Sequence, residues 1–246
     1  MDNRLQDGDI TAQFYRYLSA YILVALSGCL GNVVDGIIVG NLISEDGVSA
    51  INLSKPIVQF IFTLHLLINA GAGMLVAYAL GQKKVDLARN YFTRALTLSV
   101  GLGIMLAVVG GLIFPHQTAR LLCSNEQILP LAYDYMRVLL VGNPAFILMW
   151  GLSTMVGVDG SPRLVSLAVI IDNTVNLLLD IVLVMAMDMG MRGAALASLI
   201  SPVAAMAVYV PYLSKPPRPF AFDLPNRHDY ISLLFKSMSR GTPAAI

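Results

Sequence analysis

With 57% of its 246 residues hydrophobic, only 13% charged and a mean hydropathy of +0.71, the chain falls far from soluble domains, where about 25% charged residues is usual. Its net charge of +1, from 16 basic and 15 acidic residues scattered between apolar runs, excludes the concentrated basic surface that nucleic-acid binding requires. The main partner is therefore membrane lipid.

Residues 1–16 are polar and carry three aspartates, the wrong character for a cleaved secretory signal. A spanning helix needs about 20 mostly apolar residues. Six runs meet that requirement: 17–43, 54–80, 93–114, 128–157, 164–187 and 193–214. They are longer than the strands of a membrane barrel and lack its two-residue alternation. The fold class is all-α and polytopic, a six-transmembrane-helix lobe over 17–214.

The first run contains GNVVDG, in which Asn32 and Asp35 stand about 60° apart on a helical wheel. Glycines at 28, 31, 36 and 40 surround them. They read as close-packing positions, with Gly36 and Gly40 forming a GxxxG pair. His65 and Asn69 in the second run read as an interior histidine and an interhelical hydrogen-bond partner. Cys29, in an apolar run, and Cys123, near a loop, do not suggest a disulfide framework. Asp46, Asp159 and Asp188 fall in short loops and read as solvated turn residues.

The fifth run holds the most polar stretch, IIDNTVNLLLD, from 170 to 180. With Asp172 as zero, Asn176 lies at about 40°, Asp180 at about 80° and Asn173 at about 100°, so all four share one stripe. Counting from the outer ends of the runs, Asp35 lies about 12 Å deep, Asp180 about 10 Å and Ser198 of the sixth run about 8 Å. Three oxygen-bearing side chains from three helices thus come to one level. A carboxylate at a helix centre costs about 2.5–3.5 kcal/mol on insertion scales, and such residues face a bundle interior or water.

After the sixth run, residues 215–230 (KPPRPFAFDLPNRHDY) form a proline-rich linker, and 231–246 (ISLLFKSMSRGTPAAI) open another apolar run. The expectation is the start of a seventh helix, in a chain that is the first part of a longer one with its C-terminal lobe absent. Of the 16 Lys and Arg residues, twelve gather on one side of the proposed topology and four (Lys55, Arg120, Arg137 and Arg192) on the other. The positive-inside rule then places the N-terminus and linker in the cytoplasm and the chain as a multi-pass protein in the cytoplasmic (inner) membrane.

Four stretches, VDGIIVGNL (34–42), GAGMLVAYALGQKKVDLARNYF (71–92), NLLLD with GMRGAALAS (176–180, 190–198) and RGTPAAI (240–246), resemble the multidrug and toxic compound extrusion family of secondary transporters. The resemblance implies half of a twelve-helix, two-lobe transporter, not an enzyme. It also implies a cation-coupling site at Asp35, Asn176, Asp180 and Ser198, accepting H⁺ or Na⁺. Tyr135, on the fourth helix, matches a family tyrosine, and Asn32, Asp172 and Asn173 stand as accessory polar residues. No cofactor beyond the coupling ion is implied. The partners would be drug-like small molecules and a second six-helix lobe. The chain departs from the family in having Ile181 where proline often follows the helix-five aspartate, Ser198 where threonine is commoner, and Gly31 where a tyrosine sometimes stands. Loss of that proline removes one cause of helix bending.

The function implied is cation-coupled antiport of organic, cationic or amphipathic compounds. A lipid-linked oligosaccharide flippase of the same superfamily is the nearest rival, but it would line its cavity with cationic side chains, and the spans hold almost none. An intramembrane aspartyl protease would pair Asp35 with Asp180 around a water.

Overall fold

The computed structural model describes residues 10–42, 45–214 and 239. The linker and the start of a seventh helix, expected at 215–230 and 231–246, lie outside the described residues apart from Ser239. So does most of the polar segment expected at 1–16, although residues 10–16 already belong to the first helix.

Among the described residues eight α-helices run in chain order: α1 (Ile10–Leu42), α2 (Glu45–Gly81), α3 (Val85–Leu106), α4 (Pro115–Leu122), α5 (Leu129–Val158), α6 (Pro162–Asp180), α7 (Gly190–Met206) and α8 (Val210–Leu213). α3 continues as a π-helical segment, Ala107–Ile113, and α6 as another, Ile181–Ala186. Among the described residues six stretches are long and apolar enough to cross a membrane, and they overlap the six expected runs, the first lying five to six residues early at both ends and the second and third starting nine and eight residues early. Pairing of every backbone group inside each segment is what a bilayer demands, and helices alone provide it here. The short α4, opened by Pro115, was not legible as an apolar run because it holds His116, Gln117 and Arg120 in eight residues.

α5 is the central element, packed against α2, α3, α6 and α7, while α1 leans mainly on α6. Small residues permit the close approaches. A Cβ added at Gly142 of α5 would stand 1.9 Å from Leu199 Cδ1 of α7, and one at Gly151 would stand 2.9 Å from Leu96 Cδ1 of α3. One apolar cluster gathers around Phe92, Met149, Met155 and Tyr209, and a second around Met136, Tyr135 and Ala194. α1 turns Leu26, Leu30, Val33 and Ile37 away from the lobe.

Two expectations change. Gly36 has nothing described within 4 Å of an added Cβ, and Gly40 meets only Val48, so the pair is not a helix-packing seam among the described residues. Asp159 is not simply solvated, because it accepts a hydrogen bond from Tyr212. That contact belongs to a set closing one end of the lobe, in which Arg16 donates to the carbonyl of Gly160 at 3.1 Å and Tyr17 to that of Gly157 at 3.2 Å. Gly160 has φ +87°, a left-handed conformation that glycine adopts without steric cost. Both cysteines are free thiols.

Candidate functional site

The polar stripe of α6 opens on a cavity of about 370 Å³. Five helices wall it, each offering residues at helical spacing: Val24, Gly28 and Gly31 from α1, and Val169, Asp172, Asn173 and Asn176 from α6. α7 adds Ser198 and Ser201, α2 adds Gln59 and Phe62, and α5 adds Tyr135, Leu139, Asn143, Phe146 and Trp150.

Proline explains why helices part here. Pro56, Pro144 and Pro202 sit inside α2, α5 and α7. A helix-interior proline has no N–H for the carbonyl four residues back and its ring pushes that carbonyl aside. In α7 the carbonyl concerned is that of Ser198, whose hydroxyl also lines the cavity. Asn143 and Ser201 each directly precede one of these prolines.

The polar groups are tied to one another across helices. Asn176 Nδ2 donates to Ser198 Oγ at 3.4 Å, and Ser201 and Asp172 line the same cavity. Asn173 Nδ2 donates to Ser27 Oγ of α1 at 2.8 Å. A Cβ on Gly31 would stand 2.7 Å from Asn173 Oδ1, so the glycine in place of the family tyrosine is what lets Asn173 reach α1. Asn143 is 2% exposed and its Nδ2 has no hydrogen-bond partner.

The structure thus brings Asn176, Ser198, Tyr135, Asp172 and Asn173 to one wall system. Asp180 is placed differently: it ends the α-helical part of α6, is wholly enclosed at 0% exposure, and lies one turn beyond Asn176, off the cavity surface. Asn32 and Asp35 stand on α1, but their side chains lie outside the described residues. Among the described residues no group of three or more His, Cys, Asp or Glu could hold a metal ion. A hard cation here would rest on mixed carboxylate, amide, hydroxyl and carbonyl oxygens. The π-helical segment begins at Ile181, the position of the missing proline, so the helix keeps an irregularity beside Asp180 by other means.

Asn143 escaped notice in the sequence. Its signal was available: with Tyr135, Leu139, Phe146 and Trp150 it falls within about 80° of one helical face, and an Asn-Pro pair interrupts an otherwise apolar run.

Among the described residues, six stretches apolar enough to span a bilayer, five of them lining a cavity with polar walls, fit a multi-pass membrane protein. The MatE family model matches residues 20–182, and the chain belongs to that family, the multidrug and toxic compound extrusion transporters, which are secondary transporters and not enzymes. It is 27% identical over 238 residues to the probable multidrug resistance protein YoeA of Bacillus subtilis, covering 94% of this chain and 51% of that protein. It is 27% identical over 206 residues to the multidrug export protein MepA of Staphylococcus aureus, covering 82% of this chain and 45% of that one. A solved outward-facing multidrug resistance MATE family transporter of the MOP superfamily shares the fold, with TM-score 0.86 at 23% identity over 98% of this chain and 53% of that one. The chain spans about half the length of the relatives it matches.

Proposed function

We propose that the chain is the N-terminal lobe of a cation-coupled multidrug exporter, working with a second six-helix lobe in the cytoplasmic membrane, its N-terminus in the cytoplasm. The observation that carries this reading is the juxtaposition of a polar-lined cavity with an enclosed carboxylate, Asp180, one helical turn away through Asn176. An inward-moving H⁺ or Na⁺ binds at Asp35, Asn176, Asp180 and Ser198. Tyr135, Asn32, Asp172 and Asn173 support the cavity that takes the outward-moving organic compound. Occupancy of the ion site changes charge and packing at Asn176 and Ser198, so ion and compound affinities are reciprocally linked. Rocking of two lobes about the shared cavity would supply alternating access.

The flippase reading loses support because no Lys or Arg lines the cavity among the described residues. The concrete test is Asp35→Asn and Asp180→Asn in a transporter carrying both lobes. Ion-driven efflux of ethidium should fall to background in each, with protein level unchanged. Undiminished efflux in both variants would end the coupling assignment.

A further inference from the structure

We propose that Asp172 is the substrate anchor of this lobe, a carboxylate that pairs with an organic monocation carrying a flat aromatic body, and that it acts separately from the coupling site. The inference rests on reading the cavity as the compound-binding chamber.

Among the described residues that line the cavity, Asp172 is the only charged one. It lies ten residues into α6, about 15 Å along the helix, where an unpaired carboxylate is costly. A cationic guest would offset that cost, and the cavity wall offers no Lys or Arg to do so. Ser201 stands on the cavity wall with Asp172, and a carboxylate has about four lone-pair sites, so acceptor capacity is left for a guest.

Asn143 supplies an independent indication. Its Nδ2 is buried on the cavity wall and has no partner, and a buried donor left unsatisfied is destabilising. A guest with a hydrogen-bond acceptor would satisfy it. Phe62 and Trp150 add an aromatic wall, their ring centroids 5.7 Å apart at 81°, and ring faces attract organic cations. A volume of about 370 Å³ falls in the range of small-molecule sites, about 300–1,000 Å³.

Asp180 cannot serve the same purpose. It is fully enclosed and off the cavity wall, which suits a proton or a small ion and not a ring system. The two carboxylates, eight residues apart on one helix, therefore have different guests.

The experiment compares equilibrium binding of N-methylacridinium and acridine to the full chain in lipid nanodiscs, without an ion gradient, at mildly alkaline pH where acridine is neutral. The two probes share a ring system and differ in charge. The wild-type chain should prefer the cation about 10-fold, the size of one charge-assisted contact. Asp172→Asn should reduce that preference to within about twofold with acridine affinity intact, while Asp172→Glu keeps it. An Asp172→Asn protein that retains the preference overturns the inference, as does one that loses both probes together with Asp172→Glu, since that marks a structural role. A wild-type chain that binds neither probe overturns the chamber reading as well. Equal binding of both probes by wild type overturns the anchor alone.

Discussion

Asn69 and Asn143 are both asparagines inside membrane-spanning helices, exposed by 0% and 2%, but Asn143 lines a cavity and Asn69 does not. Asn69 Nδ2 donates to Ser99 Oγ of α3 at 2.9 Å and lies 2.9 Å from His65 Nδ1 one turn back, in a closed cluster roofed by Gly151. Asn143 sits on the cavity wall with Nδ2 unpaired. The first is an interhelical tie, whose polar groups hold α2 to α3. The second is a donor waiting on something that enters. Each amide leaves one buried atom without a partner, Oδ1 of Asn69 and Nδ2 of Asn143, so what separates the two is the interhelical tie of Asn69 and the cavity that Asn143 lines.

The sharpest way to break the contrast is to remove the frame on which the cavity depends. Gly142→Val places carbon where Leu199 Cδ1 now stands 1.9 Å from a hypothetical Cβ, and should lower stability by about 3 kcal/mol, read as a large fall in the thermal unfolding midpoint in detergent. Next comes a matched pair. Asn69→Leu strands His65 and Ser99 without the amide and should cost about 1–3 kcal/mol in the same assay. Asn143→Leu removes an unsatisfied donor for an apolar side chain of similar size, so stability should hold or rise while acridine affinity falls by about threefold. Equal destabilisation by the two substitutions would erase the distinction drawn between the clusters. The smallest effect concerns α1: Gly31→Ala should destabilise in the wild-type background and be nearly neutral once Asn173→Ala has cleared the space, a coupling of about 0.5 kcal/mol or more in a double-mutant cycle.

Much of this architecture was legible before any coordinates. Six apolar runs announced six spans because the bilayer fixes helix length, and the α6 stripe followed from the helical period. Counted from the helix ends, Asp35, Asp180 and Ser198 stand about 9–12 Å along their own helices. What the wheel could not separate was Asp172 from Asp180. They share a stripe, yet one faces a cavity and the other is enclosed, a difference made by how the helices pack around α6. The π-helical segments were equally hidden, since they arise from a shift in hydrogen-bond register and carry no hydropathy signature.

By itself, then, the order of residues determined the solvent, the number of spans and which side chains were too costly to be idle, because transfer into hydrocarbon is priced residue by residue. Tertiary structure alone decided which of those side chains are tied and which are open. Gly31 admits Asn173, the α5–α7 seam at Gly142 sets the cavity wall, and Asn143 is left unpaired there. Hydrogen bonding and enclosure are properties of several helices at once, and no single run of sequence contains them.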